Sequence, residues 1–210
     1  MSSFIKLTIG IPSIPERKTQ FLEPLIAKLT YQIGSRDDIQ ILCLSDNKKM
    51  SIGKKREALF HCASGKYTCL IDDDDDVMDN FIEVLSNVIT EDLDVDVISF
   101  GQEVLSRGKV WKIKSSLTHG VVPPFRNLEE RNGLTIPCLR PPWHWCAWRT
   151  DLAKQIPFPD INWGEDSFFV TEAGTRAKTE LLLDEVLCRY IEDPNISQAI
   201  YDPIKLNSLL

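Results

Sequence analysis

In Tyr67-Thr68-Cys69-Leu70-Ile71-Asp72-Asp73-Asp74-Asp75-Asp76, an apolar, strand-like run stops against five consecutive carboxylates. Aromatic and β-branched side chains suit a pleated, half-buried surface, whereas ionised aspartates are almost never fully buried unless paired. The strand must therefore end at Ile71 and deliver a concentrated negative charge to one edge of its sheet. Two like charges about 6 Å apart repel by roughly 3 kcal/mol at an effective dielectric near 20, so five ionised neighbours call for full solvation or a cation. Oxygen-only ligands suit Mg²⁺ or Mn²⁺ better than zinc. A solvated acidic loop is the plain alternative, and the flanking sequence argues against it.

On the amino-terminal side, Ile5 to Pro12 alternates as a strand, breaks at Pro12 and Pro15, and passes into a helical stretch over roughly Lys18 to Tyr31, with Phe21, Leu22, Leu25, Ile26 and Leu29 on one face. Ile39 to Leu44 is nearly continuous in apolar residues, as expected of a parallel strand covered on both faces, and ends in the turn Ser45-Asp46-Asn47. Helical spacing returns over Lys54 to Ala63 and again over Asn80 to Ile89, and a strand follows at Val95 to Phe100. Alternating strand and helix units predict an α/β fold with a mostly parallel central sheet flanked by helices. Ligands of such sheets lie beyond the carboxyl ends of the strands, so the turns after Ile11, Leu44 and Ile71 are expected to meet in one crevice. After residue 101 a hairpin about Arg107-Gly108 and a Pro-rich segment predict a smaller mixed or antiparallel part with binding loops.

The 210 residues, 43% hydrophobic, suffice for one core, and no low-complexity linker divides them, so a single domain is expected. No apolar stretch is long enough to span a bilayer and no signal-peptide pattern opens the chain, which predicts a soluble cytoplasmic protein. Six cysteines without a C-x-x-C pair read as reduced thiols, with Cys43 and Cys69 as small buried hydrophobes. The net charge of −7 divides as −6 over residues 1 to 100, +5 over 101 to 155 and −6 over 156 to 210. A basic middle segment in an acidic chain suits an anionic partner, although solvated surface Lys and Arg without any partner are the commoner explanation.

Five pieces in order, Ile11-Pro12-Ser13, Leu44-Ser45-Asp46, Gly53-Lys54-Lys55-Arg56-Glu57, Gly65 through Asp76, and Trp163-Gly164-Glu165-Asp166, resemble the inverting family-2 nucleotide-diphosphosugar glycosyltransferases of the Rossmann-like GT-A fold. The resemblance spans about residues 5 to 190. It implies a nucleotide-sugar half over 1–101 and an acceptor and catalytic-base half over 102–210 of one domain. It further implies a UDP-sugar donor held by Pro12, Asp46, Lys55, Arg56, Asp72 and Asp73, with Mn²⁺ or Mg²⁺ on Asp74 and Asp72. Asp166 takes the role of catalytic base, with Glu165 as its understudy, and Arg140, His144, Trp145 and Trp163 line the acceptor side. The chain departs from the family at Glu57, where Asn is usual, and after Tyr190, where a late His is missing and Glu192, Asp193 or water is the candidate substitute.

The chemistry of these residue types agrees with the implied roles. A departing diphosphate needs its growing charge neutralised, and inverting transfer needs a base for the acceptor hydroxyl. Cations beside a helix start with free backbone N–H groups favour a diphosphate. Phrases such as Arg140-Pro141-Pro142 and Phe158-Pro159-Asp160-Ile161-Asn162 look like small phage-encoded glycosyltransferases, some of which modify hydroxymethylated pyrimidines in DNA. For such an enzyme the location is the host cytoplasm, and Lys112, Lys114, Arg126, Arg131, Arg140 and Arg149 are the candidates to meet phosphates. A polysaccharide or protein glycan is the competing acceptor. Rival readings are an EF-hand-like calcium loop through Asp72, Asp74, Asp76 and Glu83, an aspartyl phosphotransferase with Asp72 as nucleophile, and a noncatalytic nucleotide-sugar-binding module.

Overall fold

In the computed structural model, which describes residues 4–106, 108–119, 130–131, 134–135 and 138–192, strand β1 (Leu7–Ser13) is buried at all seven positions. It lies between two parallel strands, β2 (Ile39–Ser45) and β3 (Tyr67–Leu70), so its backbone is paired along both edges. Beyond β3 the short β10 (Ala147–Arg149) runs antiparallel, with Trp148 opposite both Thr68 of β3 and Val97 of β5 (Val97–Ser106). The sheet continues through β11 (Glu180–Glu192), parallel to β5, to β4 (Asp76–Val77) at its end. Strands β1, β2, β3, β5 and β11 thus share one direction, as the alternating pattern predicted.

The β10 insertion joins strands from both halves of the chain in one sheet. On the far side of β5, β6 (Lys109–Ser115) pairs antiparallel, Ser106 opposite Lys109, and β9 (Cys138–Arg140) adds to it in parallel. This is the hairpin expected from the sequence, with Gly108 at φ +75°, although Arg107 itself lies outside the described residues. A separate ribbon pairs β7 (Glu130–Arg131) with β8 (Leu134–Thr135). Of the sequence-stretch candidates for phosphate contact, Arg126 falls outside the described residues, as does the side chain of Arg131.

The helices α1 (Glu23–Ile33), α2 (Ile52–Cys62), α3 (Phe81–Val88), α4 (Thr150–Ala153) and α5 (Glu165–Arg176) flank the sheet. The predicted first helix is entered through a 3₁₀ turn at Pro15–Arg17 and a π turn at Lys18–Leu22, since two prolines and a shifted hydrogen-bond register replace a clean α start. Phe60 of α2, Phe158 and Phe169 of α5 stack with centroids 4.7 to 6.0 Å apart, and Trp148 meets Phe169 edge-on at 5.6 Å. This aromatic stack fastens α2 and α5 to each other and to the centre of the sheet.

One expectation is corrected. The apolar run of β2 predicted a strand covered on both faces, but β2 is the edge of the sheet, its side chains are only partly covered, and Cys43 is exposed. A strand with one neighbour has no second flank to bury it, whatever its composition. Cys69 is buried as expected. Among the described residues no helix is long and apolar enough to cross a membrane.

Phe169→Ala should lower the unfolding free energy by about 3–5 kcal/mol, because a fully buried ring leaves a cavity at the α2–α5 junction. Chemical denaturation checks this, and an unchanged midpoint would contradict the role given to the stack.

Candidate active site

The turns after β1, β2 and β3 converge, as the topology requires. After β3 the chain makes a turn in which Asp75 N–H donates to Asp72 O at 3.0 Å, so the five aspartates fan outward instead of sharing one direction. Asp72 accepts from Arg56 at 2.8 Å on each of its oxygens. Asp73 accepts from Ser13 Oγ at 2.6 Å and lies 3.3 Å from Arg17 Nε, and Asp74 pairs with Arg17 as well. Asp75 accepts from the Ile191 backbone N–H at 3.1 Å, while Asp76 turns away to Lys28 at 2.9 Å and belongs to the scaffold.

Arg56 is buried and has a second acidic partner, Glu165, at the first position of α5. Trp163-Gly164 brings that helix in: Gly164 adopts φ +81°, ψ 1° as its N-cap, a left-handed conformation that costs glycine nothing. Asp166 follows, its Oδ1 accepting from the Ser167 N–H at 2.7 Å. Burial raises the Asp166 carboxyl above the ordinary aspartate range, against the pull of Arg56, and the charges of Asp72 and Arg140 also reach it. The Arg56 bridge therefore sets the start of α5, with Asp166, beside the Asp run.

The electrostatics report an excess of acid. Burial pushes Asp73 up to about 6 and Glu165 to about 7, and burial together with the charge of Asp72 raises Asp74 and Asp75. Asp72 is the exception: burial would raise it, but Arg56 holds it below the ordinary range. Oxygen donors with uncompensated negative charge fit a hard divalent cation in kind. Among the described residues, however, no three candidate ligands converge on a common point, since Asp72 turns to Arg56, Asp73 and Asp74 to Arg17, Asp75 to the Ile191 backbone and Asp76 to Lys28. The divergence of Asp72, Asp74 and Asp76 also removes the calcium-loop geometry, and Asp72, with both oxygens on Arg56, is not presented as a nucleophile.

The remaining predicted residues gather nearby with roles that the sequence did not anticipate. Lys55 donates to Ser13 O at 2.7 Å and pairs with Asp46 Oδ1, whereas Asp46 Oδ2 caps its own turn, accepting from Lys49 N and Met50 N at 2.7 and 2.8 Å. Pro12 is buried in β1, opposite Leu44. The expectation of free N–H groups at the start of α2 is overturned. Ile52 N donates to Asn162 Oδ1, Gly53 N to Ile161 O, Lys54 N to Ser51 Oγ and Lys55 N to Ser51 O, so the 159–162 loop and the N-cap occupy the helix end. Gly53 allows this approach, because a Cβ there would run into Pro159 O.

On the acceptor side, the His144 carbonyl extends β3 by accepting from Leu70 N at 2.9 Å, and its ring packs edge-on to Trp145 at 5.7 Å. Burial, with Arg56 nearby, lowers His144 to about 3, which makes it a neutral packed group at physiological pH. Trp143 stacks on Trp145 at 5.5 Å, and the Arg140 guanidinium lies over Trp143 at 4.8 Å. Trp163 is 37% exposed beside the acidic start of α5, whereas Trp148 belongs to the core. Arg149 does not join a basic face: it lies opposite Tyr67, at the start of β3, and pairs with Asp94 and Asp96. Glu192, the stand-in for the missing histidine, is taken by Ser106, and Asp193 lies outside the described residues.

Sequence reasoning missed Ser13 and Arg17. Their signal was present: Ser13 ends β1 and Arg17 lies in the turn that follows, where a hydroxyl and a guanidinium complement an acidic strand end.

The architecture is that of the GT-A glycosyltransferases, a mixed α/β fold with flanking helices. S. aureus TarS 1–349 in complex with UDP-GlcNAc is similar to it with a TM-score of 0.60 at 15% identity, over 98% of this chain and 64% of that one. The same protein in complex with UDP gives 0.55 at 18% identity over 90% and 61%, and a further S. aureus TarS structure gives 0.55 at 16% over 90% and 37%. The chain thus spans less than two-thirds of the length of these neighbours. No protein-family model matches the chain, and no curated protein does.

Arg56→Ala should cost about 3–5 kcal/mol of stability, because it leaves the buried Glu165 and the half-buried Asp72 without their cation. The triple change with Asp72→Asn and Glu165→Gln should recover much of that loss. Thermal or chemical denaturation of the two variants makes the comparison, and equal stabilities would contradict the charge-bridge account.

Proposed function

We propose that the chain is an inverting glycosyltransferase that moves a sugar from a nucleotide-diphosphate donor, a UDP-sugar, to an acceptor hydroxyl. The observation that carries this is the Arg56 bridge, which ties the carboxylate at the end of β3 to the Gly164-Glu165-Asp166 helix start. It brings a donor-side acidic cluster and a candidate base into one site, the arrangement that in-line displacement with inversion needs. Glu165 is committed to Arg56 and buried, so the base is Asp166, which keeps one carboxylate oxygen beyond its Ser167 contact for the acceptor proton. Its raised pKa strengthens it as a base. Mn²⁺ or Mg²⁺, held by Asp74 and Asp72, would supply the charge neutralisation of the departing diphosphate. Asp73 and Ser13 hold the turn in shape, Lys55 and Asp46 fix the neighbouring loop, and Trp143, Trp145, His144 and Trp163 form an aromatic side for the acceptor, with Arg140 over Trp143.

The acceptor reading extends to a hydroxymethylated pyrimidine in DNA. Lys112 and Lys114 stand exposed on β6 and support it, whereas Arg149 does not. Steep weakening of duplex binding with salt, and transfer to duplexes bearing hydroxymethyl bases but not to polysaccharides, is the expected outcome.

Hydrolysis of a panel of UDP-sugars with Mn²⁺ tests the central reading. Asp166→Asn and Asp74→Asn should each lower turnover by about 100-fold or more, and wild-type rates in both would refute it. Because a base must be ionised to act and burial raises Asp166, the acid limb of the kcat/KM profile should fall above the ordinary aspartate value. It should also shift with Arg140→Gln, which removes a charge that lowers Asp166.

A further inference from the structure

Arg17, half-buried, is bound differently from Arg56 and Lys55, the buried cations of the site. Arg56 bridges two elements of the sheet scaffold and Lys55 anchors β1 to the Asp46 turn, but Arg17 reaches only the tip of the Asp run, with Nε 3.3 Å from Asp73 and NH2 on Asp74. Asp73 has an independent anchor in Ser13 Oγ at 2.6 Å. Among the described residues, Arg17 is the one side chain that pairs with Asp74. Its own segment is a 3₁₀ turn running into a π turn, an arrangement that lacks the full α-helical ladder. The ring of Phe21 in that turn lies 5.2 Å from the guanidinium, a cation–π resting place that needs no backbone movement.

We propose that Arg17 is the resting counter-ion of the Asp73–Asp74 pair and surrenders Asp74 when a divalent cation binds. The inference rests on the transferase reading of the same site. A guanidinium and a doubly charged ion that share one carboxylate repel each other, so the two compete for Asp74. Asp73 stays in place through Ser13 during the exchange, and only one side chain swings. In the cation-free protein Arg17 thereby compensates the buried Asp73 and the half-buried Asp74, which a permanently open site would not.

The test is binding of Mn²⁺ alone, followed by the loss of the free Mn²⁺ signal in electron paramagnetic resonance and by thermal shift, for wild type, Arg17→Gln and Arg17→Lys. Removing the competitor should tighten Mn²⁺ binding about tenfold or more in Arg17→Gln, with a larger Mn²⁺-induced rise in Tm than in wild type. Arg17→Lys, which loses the fork and can hold only one carboxylate at a time, should tighten it to a lesser extent and covers the case in which the glutamine variant does not fold. Unchanged or weaker Mn²⁺ binding in the variants, or no Mn²⁺ uptake by any of the three proteins, overturns the proposal. UDP binding by the wild type is measured separately: binding of UDP without an Arg17-dependent Mn²⁺ effect sinks this inference alone, whereas no UDP binding under any condition sinks the transferase reading too.

Discussion

A guanidinium buried between two carboxylates holds the site together. Arg56 lies on α2, Asp72 at the end of β3 and Glu165 at the start of α5, and no two of them are neighbours in sequence. A buried ion pair gains little net stability over an apolar substitute, but it is costly to break, because each group left behind is an unpaired charge in a poorly solvated place. The bridge therefore acts chiefly on geometry. It fixes the approach of α5 to the sheet edge and so the position of Asp166, while the Phe60, Phe158 and Phe169 stack supplies the apolar burial that makes the junction favourable.

The Asp run shows how far identical neighbours diverge once a chain turns. A β-turn aims successive side chains in different directions, and each of the five aspartates meets a different environment: Arg56, Ser13 with Arg17, Arg17, the Ile191 backbone, and Lys28. The charge excess read from the sequence is real, since burial and mutual repulsion raise Asp73, Asp74 and Asp75, but its relief is divided among partners from β1, α1, α2 and β11. The same logic explains the start of α2. Lys55 and Arg56 do face the crevice, as their spacing indicated, yet they serve as internal struts, and the first helix N–H groups are taken by a loop more than one hundred residues away in the chain and by the Ser51 cap.

Much of the fold was legible because periodicity reports burial directly. β1, the strand of the Asp run and three helices fall close to where their apolar spacing predicted them, and the hairpin after β5 announced itself through Gly108. β10 was not legible: three residues cannot display a period, and its place between β3 and β5 depends on Trp148 packing against Phe169. The coverage of β2 was misjudged for a related reason, since composition says that a strand can be buried but not whether it has a second neighbour.

By itself the sequence determined the alternating strand–helix order, the strand end at which acidic charge collects, and the residue types available for phosphate, metal and proton chemistry. These are local properties, set by side-chain spacing and by the cost of burying ionised groups. Only the tertiary structure decided which carboxylate faces which cation, that Arg17 and Ser13 belong to the site, that Arg149 and Asp76 do not, and that α2 offers no free N–H groups. Those outcomes depend on which distant segments come within hydrogen-bonding reach, and pairing of buried charge is settled by distances of a few ångströms that no local pattern encodes.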